Sequence, residues 1–317
     1  MGRAGCRTVG AHAGAAAGLL VRAVLVGLLG LWLGSLRPPV LVILAFYAVL
    51  FVVAVPLLRL SWPVLAVGAV VVCGVAPVAS MLLRAGGSFR TPRDPTVLSL
   101  LDPAALLGSL LVTGAYPVLT WTTYLLAGLA IGRLDLRDRR VAGWLLGLGV
   151  GLAVAAKGAS AVLLDGFGGA SVIGARELAE RRYGIVPTDT WWWLAVDVPH
   201  SGAPLDLAHT TGSAMAVLGL MLLLARWSRT LVWPLAAAGG IPLTLYTVHV
   251  YTLSTVDTPE TIASYLFSVA AALVIGVVVR AAGLRGPFEA VVAVASRGAR
   301  RMVVGPPAQV DGGTSLR

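Results

Sequence analysis

Apolar runs of about 20 residues follow one another along nearly the whole chain. Short stretches holding arginine, aspartate, proline and glycine separate them. A helix of about 20 apolar residues crosses the roughly 30 Å hydrocarbon core of a bilayer. The runs predict eight spans, at 18–36, 39–58, 62–83, 114–132, 141–164, 205–225, 230–252 and 259–281. The expected fold class is all-α, a polytopic transmembrane helix bundle over residues 18–283, after a tail at 1–17. Between the third and fourth spans, Asp102-Pro103 starts a helix, since proline suits the first helical position, and its shortness makes it interfacial rather than spanning. The longest connection is 166–204, where "ARELAERRYG" predicts a short exposed helix and Trp191, Trp192 and Trp193 fit an aromatic belt. Residues 284–301 read as a basic amphipathic helix on the inner leaflet, and 302–317 as a disordered tail.

Composition agrees with that pattern. Hydrophobic residues make up 58% of the chain and charged ones 12%, where a water-soluble domain carries roughly twice that charged fraction. The net charge of +10 does not mark a nucleic-acid binder, because the arginines sit between apolar runs and form no basic patch on a soluble domain. Their placement reports topology instead, together with contact to anionic lipid. With a cytoplasmic N-terminus, 14 arginines lie on inner stretches and 7 on outer ones, which puts both termini in the cytoplasm and the 166–204 loop outside. Asp257 and Glu260 then mark the last outer loop. Twenty-three arginines against one lysine, with no asparagine, read as GC-rich bacterial coding, hence a bacterial plasma-membrane protein without N-glycosylation acceptors. Cys6 and Cys73 define no disulfide framework and read as free thiols. The first apolar stretch is long enough for a retained span and reads as that rather than as a cleaved signal peptide.

The candidate chemistry gathers on the outer side. "DVPHSGAPLDLAHTTG" brings Asp197 and His200 close in sequence to Asp206 and His209, and "LTLYTVHVY" places His249 at the outer end of the seventh span. Asp206 and His209 are three apart and share a helix face. Imidazole serves as a general base near neutral pH when a carboxylate orients it. His200 is the first choice as base or cavity ligand, with Asp197 or Asp206 as its orienting partner. Helix entry at a wet boundary explains the same residues structurally, with Asp206 as a cap. An Asp-x-x-His pair with further histidines offers metal ligands, but no spacing is as specific as a zinc motif, so no metal is expected. Lys157, deep in the fifth span, either faces this cluster or snorkels to the interface. "YPVLTW" reads as helix entry. On the inner side, "GRLDLRDRR" carries Arg133, Arg137, Arg139 and Arg140, which can pair bidentately with phosphates of a donor or serve as topology signals.

The strings "GAYPVLTWTTYLLAGLAIGRLDL", "WWWLAVDVPHSGAPLDLAHTTGSAMAVLGLMLLL", "PLAAAGGIPLTLYTVHV" and "LRGPFE" together resemble one bacterial integral-membrane family. It is the family catalogued as domain of unknown function 418, similar to heparan-alpha-glucosaminide N-acetyltransferase within the transmembrane acyltransferase clan. The resemblance covers about 18–290. It implies transfer of an acyl group, such as acetyl, from acyl-coenzyme A at the cytoplasmic face to a sugar or other hydroxyl or amine acceptor outside. It places His200 and His249 in an outward cavity and Arg133 at the inner side. Such proteins begin with two further spans, the first bearing an Asp-x-x-Arg-Gly type string and a catalytic histidine. The chain joins the pattern at the equivalent of the third span, and His12 stands outside that context. A late start or a degenerate relative is therefore expected, with activity lost if the lead histidine is missing. The alternatives are a solute permease, which an inverted repeat and paired broken helices would mark, and a non-catalytic membrane component.

Overall fold

A computed structural model describes residues 2–86, 94–257, 259 and 261–304, and the side chains from Gly10 onward within these except that of residue 11. Arg90, Arg93, Glu260 and the expected tail beyond residue 304 lie outside the described residues, as do the side chains of Arg3, Cys6 and Arg7. Every described regular element is helical.

Helix α1 runs Gly2–Ser35, so the expected N-terminal tail continues into the first apolar run as one helix. It is followed by α2, Leu44–Leu57, and α3, Trp62–Leu83, which begins with proline in its first turn. Asp102 caps the short α4, Pro103–Gly108, by accepting from the Ala105 amide, and a π-helical turn continues to Thr113. Helix α5 spans Val118–Ile131, and α6 spans Arg139–Ala161 with Asp138 as its N-cap. The short α7, Gly169–Ile173, packs against the π-helical turn Val162–Gly166 that ends α6, and α8, Ala175–Ala179, packs on α7. Next come α9, Pro204–Trp227, and α10, Arg229–Ala238. The last three helices are α11, Pro242–Thr255, α12, Ile262–Ala281, and α13, Pro287–Val304.

Five of these segments are long and apolar enough to cross a membrane: His12–Ser35, Trp62–Leu83, Arg139–Gly166, Pro204–Trp227 and Ile262–Ala281. Two helix pairs join the count when each is taken as one span, which raises it to 7. These are Pro103–Thr113 with Val118–Ile131, bent by 57°, and Arg229–Ala238 with Pro242–Thr255, bent by 58°. The expected second span is a helix of 14 residues, shorter than the five. Large apolar side chains point outward, with Val70, Leu83, Trp144, Val154 and Phe267 all exposed. That inversion of the usual surface suits lipid, where apolar side chains lose nothing by facing outward.

Small residues set the helix contacts, since close backbone approach supplies the packing energy when lipid is as apolar as the side chains. The closest seam joins α6 and α9. A side chain on Gly149 would collide with Ala216 and Gly212, one on Gly212 with Ala153 and Gly149, and one on Gly219 with Leu146 and Ala142. Helix α13 lies along the first half of α1, where Gly14 meets Arg300 and Val304, and Gly18 meets the Ser296 carbonyl. Its Glu289 reaches the start of α11, accepting from the Thr244 amide at 3.0 Å and from the Thr244 hydroxyl. A carboxylate there complements the positive end of the helix dipole.

The 166–204 loop has its own small core of Ile173, Val186, Trp193, Val196 and Ala203, closed against Met81 of α3. Trp193 is 2% exposed, so this ring does not join a lipid-facing belt. Its indole N–H donates to Asp189 at 2.9 Å, and the Arg182 guanidinium lies 4.6 Å from its ring centre. The short exposed helix expected in this loop is α8, and beyond its end Arg182 turns inward, buried and paired with Glu177 and Glu180. Arg84, at the end of α3, donates to the Val186 carbonyl at 2.6 Å and fastens the loop to the bundle. Burial holds its basicity below that of a free guanidinium.

Candidate functional site

The α6–α9 seam brings Lys157 and His209 to the same end of the bundle. The loop core then lays Asp197 between them, aided by the Ser160 hydroxyl, which donates to the Ala195 carbonyl at 2.7 Å. His209 Nδ1 lies 2.8 Å from Asp197 Oδ1, and Lys157 Nζ lies 3.5 Å from Oδ2. The Asp197 side chain is only 6% exposed, whereas His209 is 34% and Lys157 71% exposed. A carboxylate accepts, so this contact puts a proton on Nδ1, and a neutral ring then keeps its lone pair on Nε2. A carboxylate-oriented imidazole that is partly exposed is equipped to take a proton from an acceptor.

The expected pairing of His200 with Asp197 or Asp206 is not what the geometry shows. His200 is exposed and sits at a positive φ of 61°, and its ring meets Tyr116 edge-on at 6.4 Å between centroids. Its carbonyl accepts the Gly184 amide. Gly184, at φ 82°, rests on the carbonyls of Gly114 and Ala115, and Gly202, at φ 67°, rests on Gly184. The Pro-His-Ser-Gly string therefore forms a junction of three backbone segments, where a Cβ would not fit and positive φ favours glycine. Asp206 belongs to that junction. It is buried, accepts the Gly202 amide at 2.9 Å through Oδ2, and takes the Thr210 hydroxyl at 3.4 Å on Oδ1. It reaches back from the first turn of α9, while the N-cap position is Ala203. His249, on α11, is exposed and makes no hydrogen bond, ion pair or ring contact to this set among the described residues.

Sequence reasoning missed a neighbouring group. Asp94 accepts the Val42 amide at 2.8 Å, Tyr246 accepts the Ile43 amide at 3.1 Å, and the Tyr116 hydroxyl reaches the Leu41 carbonyl at 3.5 Å. Tyr116 packs against Phe46 and Trp121, and Trp121 against Tyr47 and Tyr124. Burial raises the Asp94 carboxyl above its usual range, and the Val42 N–H partly offsets this. The signal present in sequence was "YPVLTW", an aromatic pair five residues apart beside a proline.

At the opposite end, Arg133 donates to the carbonyl of Leu129 at 2.7 Å and to those of Leu57 and Leu58 at 3.1 and 3.2 Å. It thereby joins the ends of α2 and α5. Arg137, Arg139 and Arg140 are exposed. Among the described residues no group of three potential ligands could hold a metal ion. Compared with family models, with curated proteins and with solved structures, the chain finds no match.

Proposed function

We propose that the protein is a membrane-embedded group-transfer enzyme in which His209, oriented by Asp197, is the general base. The observation that carries this is the 2.8 Å contact of His209 Nδ1 with a nearly buried carboxylate. The reaction that suits it, and that the resemblance to transmembrane acyltransferases implies, is acyl transfer from acyl-coenzyme A to a hydroxyl or amine, as on a sugar. His209 Nε2 takes the acceptor proton while the acceptor oxygen or nitrogen bonds to the thioester carbonyl. The carbon–sulfur bond breaks as the tetrahedral intermediate collapses, and the proton passes from imidazolium to the departing thiolate. Lys157 adds positive charge beside the dyad. His200 and Asp206 shape the junction that holds the loop in place. Counting both bent pairs and Leu44–Leu57 as crossings gives eight, with both termini cytoplasmic and the dyad outside, in a bacterial plasma membrane.

In vesicles loaded with labelled acyl-coenzyme A, wild type is expected to transfer label to an external acceptor. His209→Gln should lose about 10²–10⁴-fold, the range for removal of a general base. Equal transfer by both would sink the assignment. A solute carrier is the alternative, favoured by the two bent helix pairs, since broken helices recur at carrier binding sites. Counterflow of a solute without acyl donor would support it.

A further inference from the structure

We propose that the cleft between α5 and α9 holds one acyl chain of an anionic phospholipid, with the headgroup phosphate on the arginines of the 132–140 loop. This site is separate from the His209 dyad and does not depend on the role given to it.

Helix α9 commits its close-packing face to α6, and α5 packs on α3. Between the two pairs remains a cavity of about 330 Å³, lined among others by Tyr124, Gly128, Gly132, Thr211, Ala214 and Leu218. That volume is at the low end of the roughly 300–1,000 Å³ of small-ligand sites, which suits a single chain. Gly128 supplies depth, because a Cβ placed there meets no atom within 4 Å. Leu136 lines the same cleft and belongs to the loop that carries Arg137, Arg139 and Arg140. The Arg226 guanidinium donates to the Arg137 carbonyl, so the end of α9 closes the cleft against that loop.

The charge of the rim selects the occupant. Arg137, Arg139 and Arg140 are exposed, and none makes an ion pair among the described residues. The nearby carboxylates serve backbone amides, Asp135 that of Arg137 at 3.0 Å and Asp138 that of Arg140 at 2.8 Å. Free guanidinium groups prefer phosphate, and an apolar cleft beside them adds selectivity for an alkyl chain. A phospholipid of the surrounding bilayer has both parts.

The full-length protein in nonionic detergent is titrated with dioleoyl phosphatidylglycerol or dioleoyl phosphatidylcholine and followed by native mass spectrometry. One phosphatidylglycerol should be retained about tenfold more tightly than phosphatidylcholine. Gly128→Leu should fill the cleft and abolish that retention with little change in melting temperature. Gly147→Leu, whose Cβ on α6 also meets nothing within 4 Å, should leave retention intact. Replacing Arg137, Arg139 and Arg140 together by Gln should make the two lipids equal. Equal retention by wild type, or full retention by Gly128→Leu, would overturn the proposal. Displacement of the lipid by coenzyme A at equal concentration would also overturn it, assigning the rim to a nucleotide donor.

Discussion

Asp197 and His209 meet at 2.8 Å although one lies in an irregular loop and the other in the second turn of α9. Lys157, on a third segment, approaches the other carboxylate oxygen at 3.5 Å. The two contacts have different weight. The lysine side chain is 71% exposed, and exposed pairs of that kind contribute little. Lys157→Met should therefore change transfer by less than about twofold. Asp197→Asn, which removes the charge that orients the imidazole, should cost on the order of 10²-fold. Initial rates of labelled acyl transfer for the two variants check the ranking, and the reverse order would contradict it.

The dyad depends on the glycine seam beneath it. Gly149→Val should destabilise the protein by about 1–3 kcal/mol, since the added side chain meets the backbone of α9 and cannot be accommodated by a rotamer change. Gly147→Val, two positions earlier and facing open space, should melt as wild type does. Thermal unfolding in detergent distinguishes the two.

Much of the helix pattern was legible because its signals are local. The run at 62–83 matches α3, Trp62–Leu83, where proline opens the helix. The run at 205–225 lies within α9, Pro204–Trp227, for the same reason. The bends after Thr113 and Ala238 were not legible. Proline marks where a helix can begin, but the first bend lies where the backbone at Gly184 rests on the Gly114 and Ala115 carbonyls, a contact between distant segments. The candidate site shows the same division. Its residue types stood out in "DVPHSGAPLDLAHTTG", yet the choice of His209 over His200 depends on the path of the loop around Trp193. Asp94 passed unnoticed because its partner, the Val42 amide, is 52 residues away.

Arg133 separates a structural role from a donor-binding one. Lys in its place can reach fewer of the three carbonyls, because an ammonium lacks the planar fork that spans α2 and α5. Arg133→Lys should cost about 1–3 kcal/mol of stability. Its Michaelis constant for acyl-coenzyme A should remain that of wild type. A raised constant at unchanged stability would show that Arg133 holds the donor.

Asp94 predicts a pH dependence of stability. Burial raises its carboxyl in the folded protein, so between its ordinary value of 3.8 and the raised one the folded state binds more protons than the unfolded state. The sign is therefore negative: stability contributed by this group is greatest below that window and falls as pH rises through it. Asp94→Asn keeps an acceptor for the Val42 amide and should remove that component. Melting temperatures of both proteins across mildly acidic pH should differ in slope, and parallel curves would refute the assignment.

The most direct test of the dyad is the protonation pattern of His209. The chain has 4 histidines, so a nitrogen spectrum of ¹⁵N-histidine-labelled protein can be assigned by single substitutions. In the neutral ring of His209 the proton should be fixed on Nδ1, with Nε2 bare. In Asp197→Asn that preference should disappear. A His209 tautomer ratio equal to that of exposed His249, and unchanged by Asp197→Asn, would contradict the account.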